Sequence, residues 1–236
     1  MRRISCLFLV ATSVAALLLV APAGADRVAQ SAACGDRFVP AVIGGRHRCL
    51  QWQMACKSRW NADYRRYLFD CHNGFLIYWW RGLLRRPLRI PTIAAGTACP
   101  TSVPNGTLGV GTFGSGAAFG PGPAYPTLGV RDGHAALTYL LGWGYDGWDG
   151  TKVLWTVPKY RGPYIVRGRQ LDGPGILRFD QGPNWTNKLH GELRLVGPYA
   201  DLNPAATFLH GPGCYAYQVD GRGFSYTIVF EAQSSP

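Results

Sequence analysis

Cys214-Tyr215-Ala216-Tyr217-Gln218-Val219 and Phe224-Ser225-Tyr226-Thr227-Ile228-Val229-Phe230, joined by Asp220-Gly221-Arg222-Gly223, form the stretch whose reading decides the fold. Both runs are rich in aromatic and β-branched residues, which suit a pleated, half-buried surface, and the connection supplies residues that tolerate positive φ. A terminal β-hairpin is therefore predicted. Working backwards, Val153-Leu154-Trp155-Thr156-Val157 reads as a strand followed by a turn through Pro158 to Pro163. Tyr164-Ile165-Val166-Arg167-Gly168-Arg169 reads as the next, closed by Asp172-Gly173-Pro174-Gly175. Residues 176–179 and 192–196 are shorter strand candidates, and 134–141 reads as a strand in preference to a buried helical turn. Strands at this spacing, with such turns, predict a mainly β chain with an antiparallel sandwich over 131–236. Between 106 and 126 glycine and proline are too dense for a helix or a central strand, which predicts a long loop.

The N-terminus carries a different signal. Arg2 and Arg3 precede an uncharged apolar stretch, Cys6 to Val20, and Ala23-Gly24-Ala25 is a small-x-small site. This is the pattern of a secretory signal peptide over 1–25, cleaved before Asp26. The rival reading, an uncleaved anchor, needs an apolar span of roughly 20 residues, which this run does not reach. Lipid attachment would need a cysteine directly after the apolar stretch, and Cys34 stands too far on. Removing the signal takes Cys6 from the seven cysteines and leaves Cys34, Cys49, Cys56, Cys71, Cys99 and Cys214. In an exported chain these predict three disulfides and a secreted or extracellular location, with attachment at the cell envelope open. No second long apolar segment follows, so no membrane span is expected after cleavage.

The formal charge of +11 falls by two when Arg2 and Arg3 leave, and the remaining excess is uneven. Arg46, Arg48, Lys57, Arg59, Arg65, Arg66, Arg81, Arg85, Arg86 and Arg89 face only Asp63 and Asp70 over 46–90. Composition thus divides the mature chain into a basic, Cys-rich module over 26–75, an aromatic-basic and Gly/Pro-rich segment over 76–130, and the β region over 131–236. The middle segment reads as a linker or as the first sandwich strands. In the Cys-rich module Trp52, Met54, Trp60, Tyr64, Tyr67 and Leu68 recur at spacings compatible with short helices, and glycine and proline are absent from 46–71. One or two short helices pinned by disulfides are expected, because so small a segment buries little core alone. A zinc site would show close cysteine pairs or matched Cys and His. Here the gaps are Cys49-x6-Cys56 and Cys56-x14-Cys71, and His47 and His72 merely adjoin cysteines.

Two stretches resemble known families. Arg48-Cys49-Leu50 to Cys56 with Tyr64-Arg65-Arg66-Tyr67-Leu68-Phe69-Asp70-Cys71-His72 resembles a small Cys-rich module of secreted actinobacterial proteins. Cys99-Pro100-Thr101, Pro104-Asn105-Gly106, Lys152-Val153-Leu154-Trp155, Tyr160-Arg161-Gly162-Pro163, Arg167 to Gly173 and Gly213 to Asp220 resemble uncharacterised bacterial secreted proteins. Those proteins carry an immunoglobulin-like β-sandwich. The resemblance implies this fold and an extracellular location, and it implies that Cys99 pairs with Cys214. It implies no activity.

Catalytic patterns are sparse. Gly114-Ser115-Gly116 lacks the spacing of a nucleophile elbow, and His47, His72, His134, His190 and His210 are scattered. Only Glu192 and Glu231 are glutamates, Asp146 and Asp149 flank too few oxygen ligands for a strong calcium loop, and Asp172 and Asp220 precede glycines as turn residues do. Two patches remain as candidates. Tyr78, Trp79, Trp80, Arg81, Arg85, Arg86 and Arg89 could bind an anionic surface, set against a packing role for the aromatics beneath the Cys-rich module. Trp143, Tyr145 and Trp148, with Trp185, could form an aromatic ligand face, set against loop packing. No nucleic-acid motif accompanies the charge. The expected function is a secreted, non-catalytic binding or structural protein, without cofactor or metal, whose partner is an anionic cell-wall polymer or a polysaccharide. The alternative is a secreted hydrolase or carbohydrate-active enzyme with a site assembled from scattered residues.

Overall fold

A computed structural model describes residues 34–94, 96–106, 116–181 and 188–236. Residues 1–33, where the signal peptide is expected, lie outside the described residues, as do Ser115 and Trp185. The chain is mainly β. Its strands are β1 (Val39–Ile43), β2 (Arg46–Leu50), β3 (Phe69–His72), β4 (Phe75–Tyr78), β5 (Ala117–Ala118), β6 (Tyr125–Arg131), β7 (His134–Tyr139), β8 (Asp149–Gln170), β9 (Arg178–Gln181), β10 (Leu193–Leu209), β11 (Gly213–Gly221) and β12 (Phe224–Ser234).

Eight of these make one sheet in the order β5-β6-β7-β12-β11-β8-β10-β9. The terminal hairpin holds: β11 and β12 pair antiparallel from Gly213↔Ala232 to Gly221↔Phe224, around Gly223 at φ +82°. β12 then runs parallel to β7, with Glu231 opposite Ala136. β6 pairs with β7 and also with the first half of β8, Tyr125↔Thr156 to Thr127↔Leu154. That second pairing closes β6, β7, β12, β11 and β8 into a ring. Inside lie Trp155, Tyr217 and Phe230, all fully buried, with Trp155 edge-on to Tyr217 at 5.6 Å and Tyr217 4.6 Å from Phe230.

Two local expectations change. The strands at 153–157 and 164–169 are halves of the single 22-residue β8. Val157 pairs with Tyr199 and Gly162 with Gly197, so Pro158–Arg161 forms a bulge in place of a chain reversal. A bulge accommodates Pro158 because an extra, unpaired residue needs no ladder donor. The loop predicted over 106–126 ends early: β5 and β6 claim Ala117–Ala118 and Tyr125–Arg131, with Phe119 N–H donating to the carbonyl of Pro126. Residues 107–115 of that loop lie outside the described residues.

β11 is buried along nearly its whole length on both faces. Tyr215, Tyr217 and Val219 point into the core cluster. Ala216, Gln218 and Asp220 alternate with them and would meet solvent, but residues 86–93 cross over them as a strap. Ile90 and Ile93 pack there with Leu171, Cys214, Ala216 and Val229. The strap is sewn down by polar groups. Gln218 Nε2 donates to Pro87 O at 3.0 Å, Arg167 to Arg86 O at 2.9 Å, and Arg169 to Ile90 O at 2.9 Å. Asp220, read from sequence as a turn residue, is instead a fully buried acceptor: Arg167 Nη2 and Gln218 Nε2 both donate to its Oδ2, at 2.7 and 2.9 Å.

The Cys-rich region holds its own small core of Val39, Ala41, Ile43, Leu50, Tyr64, Phe69, Cys71 and Leu76. The expected helical content is one helix, Asn61–Arg66, entered through a 3₁₀ turn at Ser58–Trp60. Hairpins β1–β2 and β3–β4 supply the rest, turning at Gly44-Gly45 (φ +57° and +74°) and Asn73-Gly74 (φ +49° and +82°). Cys34–Cys49 and Cys56–Cys71 each span 15 residues, and Cys99–Cys214 spans 115. Three disulfides suit an oxidising compartment. No described helix is long and apolar enough to cross a membrane.

Burial also dictates behaviour in alkali. It pushes the Tyr215 phenol from its ordinary 10.0 up to about 12 and raises Tyr217 and Tyr226 further. Unfolded tyrosines ionise near pH 10. A folded pKa above the unfolded one gives stability that is complete below about pH 10 and is lost as pH climbs through the folded value. Denaturation midpoints are therefore expected to hold from pH 8 to about 10 and to fall steeply towards 12. Part of the tyrosinate absorbance should appear only with unfolding. A titration in which every tyrosine ionises near 10 with the fold intact contradicts this.

Candidate functional site

The aromatic-basic stretch is used mainly for packing. Trp79, Trp80 and Leu84 lie against buried Leu68, Leu83 and Ile165, so the short helix Trp80–Leu84 docks the Cys-rich region onto β8. Arg65 covers the Trp79 ring at 5.4 Å, and Tyr78 meets Trp80 edge-on at 5.6 Å. Arg86 donates to the carbonyls of Gly221 and Phe224, at 2.8 and 3.1 Å, and Arg89 N–H donates to Gln218 Oε1. The side chains of Arg81, Arg85 and Arg89 are exposed, yet they flank a packed seam.

Trp143, Tyr145 and Trp148 are brought together in the β7–β8 loop, over the end of β10. Trp143 stacks on Phe208 at 5.6 Å and 17°, Tyr145 lies 6.2 Å from Phe208, and Trp148 covers His210 at 3.7 Å. Asp149 Oδ1 accepts from Gly142 N–H at 2.9 Å, and Asp146 takes φ +54°. The loop thus spends much of its aromatic surface on the end of β10.

The carboxylates are similarly committed. Glu192 pairs with Arg194 at 2.6 Å and Glu231 with Arg131 at 2.8 Å. Asp36 pairs with Arg161, Asp63 with Arg66 and Asp70 with Arg65. Asp172 Oδ2 accepts from Cys214 N–H at 3.1 Å. Among the described residues no histidine is ion-paired with a carboxylate, and no three His, Cys, Asp or Glu side chains are grouped to hold a metal.

A different place gathers charge without spending it. Between the β1–β2 hairpin and residues 54–60 lies a groove of about 590 Å³, rimmed by Arg46, Arg48, Lys57 and Arg59. Alternation along β2 puts Arg46, Arg48 and Leu50 on one face, so the two arginines overhang an apolar floor. Lys57 and Arg59 come from the 3₁₀ turn opposite. Disulfides anchor both walls one residue away, at Cys49 beside Arg48 and at Cys56 beside Lys57. All four cations are exposed, no carboxylate lines the groove, and none of the four belongs to an ion pair among the described residues.

No protein-family model, curated protein or solved structure matches this chain. The groove's chemistry therefore rests on its own residues. Four like charges held at a concave surface focus a positive potential, and arginine forks suit oxyanions, which they can engage through two hydrogen bonds at once. The groove lining holds no histidine or carboxylate. The sequence showed the excess of cations over 46–59 but not its convergence, which needs the β1–β2 hairpin and two disulfides.

Proposed function

We propose that this chain is a secreted, non-catalytic binding protein of the actinobacterial type its sequence resembles, and that the groove holds an anionic polymer of the cell envelope. The observation that carries the reading is the set of four cations, Arg46, Arg48, Lys57 and Arg59, gathered at one concave surface with no ion-pair partner among the described residues. The signal sequence and three disulfides support the extracellular address. A hydrolase would need converging carboxylates or histidines, whereas most of the described carboxylates are held in ion pairs or hydrogen bonds within the fold. The same proposal takes the fold as an immunoglobulin-like sandwich. The mostly antiparallel pairing of its strands supports that.

Retention on isolated anionic wall material is the test. Replacing Arg46, Arg48, Lys57 and Arg59 together with Ala is expected to weaken binding by tenfold or more, about 1.4 kcal/mol at least. Arg85→Ala should have a much smaller effect. Binding should also fade by 1 M salt, where the screening length is about 3 Å. Retention that survives both the substitutions and high salt sinks the proposal.

A further inference from the structure

The groove does not end at its rim. On the other side of the turn carrying Lys57 and Arg59 lies a second depression of about 420 Å³, which also includes Ser58, Asn73 and Gly74. Cys56, Lys57 and Arg59 line both. The two cations therefore stand on a ridge between two hollows, with Arg46 and Arg48 on one side and a hydroxyl and an amide on the other. A single compact anion would use one hollow. A chain bearing charge at short intervals can cross the ridge and meet all of these groups.

The aromatic residues narrow the ligand class. Trp60 belongs to the small core, its ring lies against Gly44 so closely that a Cβ there would be 2.6 Å away, and Arg59 covers it at 5.2 Å. Tyr64 is buried. These rings are committed to packing and to Arg59, so recognition by stacking on a sugar or a base has little to work with, whereas recognition by charge and by hydrogen bonds to oxygen has much. Three of the four cations are arginines, whose planar forks match the oxygens of a phosphate, and Ser58 and Asn73 can donate to further ones.

We propose that the groove and the adjoining depression form one track for a linear chain of phosphate groups. This rests on reading the groove as an anion site. Binding of the full mature protein to orthophosphate, tripolyphosphate, long inorganic polyphosphate, poly(glycerol phosphate) and poly-glutamate at fixed ionic strength would test it. Affinity for the long phosphate chains should exceed that for tripolyphosphate by about tenfold or more, since a second contact on the same chain acts at high effective concentration. Ser58→Ala with Asn73→Gly, the glycine keeping the positive φ, should lower long-chain affinity and leave tripolyphosphate unchanged. A stronger response to polyphosphate or to poly(glycerol phosphate) identifies the source, and either ranking supports the track.

Long chains binding no better than tripolyphosphate overturns the track while leaving the groove as an anion site. Poly-glutamate binding as tightly as polyphosphate overturns the phosphate class. Loss of the groove reading itself looks different: no polyanion binds, or the fourfold alanine variant binds as the parent does, with its circular dichroism unchanged.

Discussion

Arg167→Leu is expected to cost about 3–5 kcal/mol of folding stability, because it leaves Asp220 as an uncompensated buried charge. The Asp220 carboxylate has no exposed surface, and the Arg167 side chain only 15%. The guanidinium donates to Asp220 Oδ2 at 2.7 Å and, through its other terminal nitrogen, to Arg86 O at 2.9 Å. Removing it therefore strands the carboxylate and frees the strap together. Gln218 Nε2, at 2.9 Å from the same oxygen, is neutral and cannot replace the charge. The cost reflects the missing partner more than the net worth of the pair, so Arg167→Leu combined with Asp220→Leu should regain much of the loss. Denaturant unfolding of the three proteins measures both effects, and hydrogen exchange across 86–93 reports the strap. An Arg167→Leu variant within about 1 kcal/mol of the parent, the level of an exposed ion pair, overturns the account.

The case of Asp220 shows where sequence reasoning stops. Its neighbours were legible: Tyr215, Tyr217 and Val219 announce a strand by composition, and the glycines at 221 and 223 announce the turn. An Asp-Gly pair at a hairpin end reads as turn chemistry because, in most hairpins, the face opposite the core is wet. Here residues 86–93 cover that face, and this depends on contacts more than 120 residues apart in sequence, such as Gln218 with Pro87, separated by 131. Proline and glycine at 158–163 signalled an interruption correctly, but whether the chain reverses or bulges depends on the partner strand, and β10 continues past it. The β1–β2 hairpin of the Cys-rich region escaped for a related reason. Glycine and proline are indeed absent from 46–71, yet the turn that sets β1–β2 lies just before, at Gly44-Gly45. The groove follows the same rule: charge density over 46–59 was visible in the sequence, and concavity was not.

Removing the Cys99–Cys214 bridge, as Cys99→Ala with Cys214→Ala, is expected to cost about 4–5 kcal/mol, since a closed loop of roughly a hundred residues restricts the unfolded chain that strongly. The loop spans 115 residues. The two bridges of 15 residues should each be worth about 3 kcal/mol by the same reasoning. Against a total stability of about 5–15 kcal/mol for a typical domain, the long bridge alone separates a robust fold from a marginal one. Its surroundings add to the effect. Cys214 belongs to the buried cluster of Ile90, Leu171, Ala216 and Val229, and its carbonyl accepts from Leu171 N–H at 2.7 Å. Loss of the bridge thus loosens the strap where it meets β11. The bridges should also divide by function. Cys34–Cys49 and Cys56–Cys71 hold the two walls of the groove, so removing either should weaken anion binding under conditions where the protein remains folded. Removing Cys99–Cys214 should lower the unfolding midpoint most and leave anion binding by the folded protein unchanged. Equal losses of stability from all three bridges, or anion binding that depends only on the long one, would contradict this division.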